Sequence, residues 1–126
     1  MVRSRVCHVA IADDWEMSVN IGSYEAATRG VLHGPGQPIR VVPAERVQAV
    51  LDERYRDLTL PLLLIVLDTG GLTAAGIPVE QDGERGALGI GAPLPPADET
   101  IVRAVLPVHR EGDRWIAPDQ QTVEDA

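Results

Sequence analysis

The chain has no phenylalanine and no lysine, and it carries a single cysteine, Cys7. Without phenylalanine the aromatic set is Trp15, Tyr24, Tyr55 and Trp115, so the core must be aliphatic, built from Val, Leu, Ile and Ala. One cysteine excludes an internal disulfide and fits a reducing compartment. Without lysine there is no Schiff base and no lysine general base, and cationic help to a substrate falls to arginine or histidine. Positive charge is scarce too: 11 arginines face 19 carboxylates, for a net charge of −8. That balance opposes non-specific binding to nucleic acid or to anionic membranes. Long apolar runs are also missing. The most continuous one, Leu60 to Asp68, is too short to span a bilayer. Met1 to Arg5 leads into only a few apolar positions before Asp13, which is not the pattern of a secretion signal. A cytoplasmic protein is expected.

What is there is organised around that same run, LPLLLIVLD. Its length and its flanking turn signals predict a strand buried on both faces, with Asp68 where the strand leaves the core. At such a place an aspartate either starts a turn or belongs to a site. Arg5 to Ala10 reads as a first strand, with Val6 and His8 on one face and Cys7 and Val9 on the other. Asp13 is a suitable N-cap for a short helix whose inner face would carry Ala12, Trp15 and Val19, closed by Gly22. Tyr24 to Gly30 looks irregular, and Val31-Leu32-His33 is a short apolar strand before the Gly34-Pro35-Gly36 loop. Ile39 to Val42 is a brief strand. A helix from Pro43 to about Arg56 would bury Val47, Val50, Leu51 and Tyr55 and pair Asp52 with Arg56 outside. Thr69 to Pro96 is rich in Gly and Pro, with a strand at Ile77 to Glu80 and little regular character from Arg85 onward. Thr100 to Val108, a turn at Glu111-Gly112-Asp113 and a return strand from Arg114 to Ala117 predict a hairpin. Residues 1–118 then form one domain, and the polar stretch 119–126 is expected to be a disordered tail.

Three histidines are the candidates for chemistry. His8 lies within a strand, where a histidine is either a hydrogen-bonded core residue or a group facing a cleft. His33 ends an apolar strand at the rim of a sheet. His109 falls in the hairpin and is expected to be exposed. Cys7 and His8 are neighbours on a strand, so they point to opposite faces and cannot share one metal ion or form a local nucleophile pair, while Cys7 with His33 stays open. No nucleophile elbow, phosphate loop or dinucleotide fingerprint is present. Gly86-Ala87-Leu88-Gly89-Ile90-Gly91 has the glycines but lacks the strand and helix around them.

The order of the pieces resembles a small bacterial family, domain of unknown function 952. The resemblance rests on Val6-Cys7-His8-Val9, on Asp14-Trp15-Glu16 and on Gly22-Ser23-Tyr24. It continues through Gly30-Val31-Leu32-His33, Arg54-Tyr55, the LLLIVLD strand, Ala92-Pro93-Leu94-Pro95 and the final hairpin, and covers about Val6 to Ala117. It implies an α+β fold of ADP-ribosyltransferase type: two packed, mostly antiparallel small sheets with two helices. It further implies a cleft between the sheets for a nucleotide-like ligand, with NAD or ADP-ribose as the cofactor. In that relationship His8 holds a ribose hydroxyl and His33 orients or protonates the leaving side. Tyr24, Arg40 and Asp68 complete the expected ligand-binding set, an arginine meeting phosphate bidentately. The family's motif histidine and tyrosine are replaced here by Gly89 and Gly91, and no catalytic glutamate is matched among Glu80, Glu84 and Glu99. These replacements leave a roomier, less polar pocket. They open a second reading, a cofactor-independent acid/base enzyme of isomerase, cyclase or lyase type on a small apolar metabolite, with His33 or His8 moving the proton. A third reading is a non-catalytic binding module.

Overall fold

The computed structural model describes residues 5–24, 26–28, 31–32, 39–77, 79–81, 88–90 and 92–126 of the chain. The LPLLLIVLD stretch forms strand β5 (Leu62–Asp68), the middle strand of a three-stranded antiparallel sheet. Its partners are β1 (Arg5–Ile11) on one side and β8 (Val102–Pro107) on the other. β1 pairs along its whole length, from Arg5 opposite Asp68 to Ile11 opposite Leu62.

Side chains alternate across a strand, so a middle strand with no polar interruption must be covered twice. Both covers are present. On one face Leu62, Leu64 and Val66 join Cys7 and Val9 under Val47, Leu51, Tyr55, Trp115 and Val123. On the other, Ile65 and Leu67 join Val6 and Ala10 under Trp15, Tyr24, Ile39, Val41, Leu72, Ile90 and Leu94. Each fully buried aliphatic side chain is worth roughly 1.5–3 kcal/mol relative to exposure. The expected split of β1 holds: His8 shares the second face with Val6, and Cys7 shares the first with Val9.

A second three-stranded antiparallel sheet contains β4 (Ile39–Val41), β6 (Val79–Gln81) and β7 (Leu88–Ile90), in the order β4-β7-β6. It contributes Ile39, Val41 and Ile90 to the second core cluster. The two sheets are joined where Cys7 and Val42 exchange main-chain hydrogen bonds of 2.7 and 2.9 Å. Two short ribbons complete the strands among the described residues: β2 (Ala26–Thr28) with β3 (Val31–Leu32), and β9 (His109–Glu111) with β10 (Arg114–Ile116).

Helix α1 (Ala12–Ile21) starts directly from β1, two residues before the expected start. Asp13 and Asp14 therefore lie in its first turn, where the helix dipole favours them, and Asp13 is not the cap. Gly22 closes α1 as expected, with φ 93° and its N–H on the Ser18 carbonyl. The buried face carries Trp15 and Ser18, whereas Val19 is 51% exposed, contrary to expectation. Pro43 leads into a 3-10 turn (Ala44–Arg46) and then α2 (Val47–Arg54), which buries Val47 and Leu51, with Tyr55 just beyond. Asp52 pairs not with Arg56 but with Arg114 of β10 at 3.1 Å.

The structure corrects four further expectations. The described residues hold four α-helices, not two. α3 (Thr69–Ala74) follows β5 at once, in a stretch expected to be irregular, and β7 lies in the Gly-rich segment. β8 pairs with β5, so the hairpin is the shorter β9–β10 unit turning at Gly112. Residues 119–126 are not a disordered tail: Gln120–Asp125 forms α4, with Val123 buried.

Candidate functional site

His8 lies at the middle of β1, on the face shared with the second sheet, and only 1% of it is exposed. Both ring nitrogens are occupied. Nδ1 lies 2.7 Å from the Arg40 main-chain oxygen in β4, and Nε2 lies 2.7 Å from the Tyr24 hydroxyl. A carbonyl oxygen can only accept, so Nδ1 carries the proton and Nε2 offers its lone pair to the Tyr24 O–H. The tautomer of His8 is thus set by the neighbouring sheet, and the direction of the tyrosine hydroxyl follows from it.

Tyr24 is held from three sides. Its ring meets His8 edge-on at 5.2 Å and Trp15 at 5.1 Å. Its backbone exchanges two hydrogen bonds with Leu94, of 2.8 and 2.9 Å. Of the four aromatic residues of the chain, Tyr24 thus meets His8 directly and Trp15 backs Tyr24.

Burial in this apolar setting pushes the His8 imidazole down to about 4, the Arg40 carbonyl opposing the shift. Burial, then the fields of Tyr55 and Asp14, raises the Tyr24 phenol. His8 is accordingly neutral at physiological pH, and its Nε2 acts as a hydrogen-bond acceptor, here for the Tyr24 hydroxyl. As an acid His8 is weak in the neutral range, because burial keeps its ring unprotonated there.

The other candidates fall in different places. Asp68 does not face His8: it caps α3 through the Gly71 N–H at 2.9 Å and forms an ion pair with Arg5. Its turn-starting role is the one seen here. Arg40 is half-buried and meets His8 through its main chain. Its register partner in β7 is Gly89, and Gly89 is in turn opposite Glu80 of β6. His33 and Glu84 lie outside the described residues. Glu99 is exposed, and so is His109, which is 3.8 Å from Glu111. Cys7 is buried on the opposite face of β1, where desolvation, with the field of Glu45, lifts its thiol to about 12. It is therefore protonated and not a nucleophile. No group of His, Cys, Asp and Glu among the described residues is arranged to hold a metal ion.

A shallow, open depression lies elsewhere, at the end of α2, lined by Asp52, Glu53, Arg54, Arg56, Asp57 and Asp113. Its charges are mixed and solvated, and it shares no residue with the His8 cluster.

What sequence reasoning missed was the His8–Tyr24 contact across sixteen positions and the part played by Trp15. The available signal was scarcity. In a chain with four aromatics, two fall within the first twenty-four residues, beside a strand histidine.

No family model matches the chain, and no curated protein matches it. Two solved structures do: the crystal structures of protein CC0527 from Caulobacter crescentus and of its double methionine variant. Each is 13% identical with a TM-score of 0.71, over 98% of this chain and 100% of that one. The likeness is one of fold. Among the described residues no helix is long and apolar enough to cross a membrane.

Proposed function

We propose that this chain is a small-molecule-binding domain of ADP-ribosyltransferase type, taking a nucleotide-like ligand at the seam between its two three-stranded sheets. NAD or ADP-ribose is the ligand class. One observation supports the reading above the others: the Nε2 lone pair of His8, fixed in direction by the Arg40 carbonyl, already receives a hydroxyl hydrogen. A ribose O–H would make the same bond. In this reading Tyr24 fills the place of the ligand hydroxyl and yields it on binding. Arg40, whose main chain sets the tautomer, would bring its guanidinium to the phosphates. His33 would act on the leaving side. Asp68 drops out of the ligand set, because Arg5 and the α3 cap already engage it.

An acid/base enzyme on a small apolar metabolite finds less support at His8, since the ring is buried and neutral and both of its nitrogens are already engaged, by Arg40 and Tyr24. That chemistry would rest on His33. A non-catalytic binding module is the second reading. It is favoured by the His8 cluster itself, which joins two neutral side chains to a main-chain carbonyl and has no second acid or base.

The test is a thermal-shift titration with NAD, ADP-ribose and nicotinamide on the parent chain, Tyr24→Phe and His8→Gln. A ligand that binds only the folded state raises its melting temperature by mass action. The expected result is a saturable rise with ADP-ribose in the parent, a larger rise in Tyr24→Phe, where Nε2 is no longer occupied, and none in His8→Gln. An undiminished rise in folded His8→Gln removes His8 from the site. No rise at millimolar ligand in any of the three overturns the nucleotide reading.

A further inference from the structure

Helix α4 is held on the domain by very little. Val123 is its one buried residue, and Asp119 at its N-cap makes no side-chain cap bond. Glu124 and Asp125 place negative charge at the end of the helix that is already negative. A helix this short does not sustain itself in water, so its order comes from docking. Among the described residues that docking comes from Val123 and Ala126, from Arg5 and from the 3-10 turn before α2. Val123 enters the cluster that contains Cys7, Val47 and Trp115, and Arg5 donates from Nε and Nη2 to the Ala126 main-chain oxygen at 3.1 and 2.7 Å. The helix packs on the 3-10 turn that follows Val42, the residue bridged to Cys7. Arg5 and Cys7 are two apart on β1 and share a face. The residue that clamps the end of α4 is thus the neighbour of the buried thiol.

We infer that α4 is a strap that opens as a unit of its own and uncovers the end of the β1 face on which Cys7 lies, the face opposite His8. Opening releases the Val123 and Ala126 side chains and the Arg5–Ala126 bonds while both three-stranded sheets stay paired. Arg5 keeps Asp68 as its partner when the strap leaves. Such an opening is sub-global and costs much less than unfolding the domain. Cys7 is the reporter: it is the one thiol of the chain, so any thiol signal belongs to it.

The experiment follows the reaction of the folded full chain with Ellman's reagent at increasing urea, all below the unfolding transition. Strap opening predicts a labelling rate nearly independent of urea. Val123→Ala should raise that rate roughly tenfold, as expected for losing the burial of two methyl-sized groups. Arg5→Met should raise it as well, and Ile65→Val, in the opposite core cluster, should leave it unchanged. A rate that rises with urea as steeply as global unfolding does, and that follows overall stability equally in Val123→Ala and Ile65→Val, overturns the inference. Hydrogen exchange checks the parent chain without any substitution. The Val123 amide, bonded to Asp119 O at 3.2 Å, should exchange far faster than the amides of β5, and equal protection of the two would refute the strap.

Discussion

Lowering the pH from 7 to 5 should cost this fold about 2 kcal/mol through His8 alone. His8 titrates near 6.5 in the unfolded chain and is held down to about 4 in the folded one, chiefly by burial. Protons therefore bind the unfolded chain first. Above pH 6.5 the neutral ring suits both states and stability is complete. Below that value the unfolded chain takes up a proton that the folded chain refuses, and stability falls until the folded ring titrates as well, near pH 4. With these two values the loss is roughly 1 kcal/mol at pH 6, about 2 kcal/mol at pH 5 and about 3 kcal/mol near pH 4. The assay is urea unfolding followed by tryptophan fluorescence at pH 7, 6 and 5, since Trp15 and Trp115 are both buried. His8→Gln is the reference chain. Carboxylates, His33 and His109 are common to both chains and cancel in the difference between the two pH profiles. The parent should lose stability faster than His8→Gln, whatever their separation at pH 7. Parallel profiles between pH 7 and 5 would refute the picture of a buried, neutral His8.

Gly71→Ala should destabilise the chain by about 2 kcal/mol or more in urea unfolding, although helix propensity alone predicts a gain of about 1 kcal/mol. A Cβ there would stand 1.9 Å from the Thr100 carbonyl oxygen, so main chain must move. Gln48→Ala should cost about 1–3 kcal/mol by the same measurement. It removes the side chain that takes the Ala117 N–H at 2.9 Å and donates to the Trp115 carbonyl at 2.9 Å, tying α2 to β10. Arg114→Ala, by contrast, should leave the unfolding midpoint where it is, because its pair with Asp52 is open to solvent. A measurable loss there would mean that the β10 edge is less solvated than its exposure indicates.

How much of this fold was legible depends on whether an element is specified by its own residues or by its neighbours. The continuity of Leu62 to Leu67 leaves only a doubly covered strand as a solution, and β5 is one. The alternation around His8 likewise separated the two faces of β1 correctly. α3 was hidden because Thr69-Gly70-Gly71 reads as a turn. The helix exists through the Asp68 cap and the burial of Leu72, and its glycine at 71 answers to the Thr100 backbone, twenty-nine residues away. β7 has a glycine at its centre and becomes a strand only because β4 and β6 pair with it from both sides. The alternating residues of β8 fit a hairpin partner as well as they fit β5, and periodicity cannot choose between them. α4 is decided by the docking of Val123 and by Arg5, which reaches it from the other end of the chain.

The candidate site divides along the same line. The strand position of His8 and its face could be read from the sequence, but its depth could not, because depth is supplied by Tyr24, Trp15 and the main chain of Arg40. Depth changes the chemistry expected of it. An exposed strand histidine would be an acid/base candidate near neutral pH, whereas this one is a fixed hydrogen-bond acceptor with its proton committed to β4. Stability alone gives a weak reason for that arrangement. A buried polar pair adds little net free energy over an apolar pair of the same shape, while leaving either partner unsatisfied costs about 1–3 kcal/mol. A valine facing a phenylalanine would serve the core at least as well and would spare the chain its sensitivity to acid. What the histidine and tyrosine supply that such a pair cannot is direction: an oriented lone pair at the seam of two sheets, matched to a hydroxyl. That property ties β1 to β4 and to Tyr24, and it also suits the proposed ligand hydroxyl, which is why the proposal rests on His8 rather than on the more exposed Asp68.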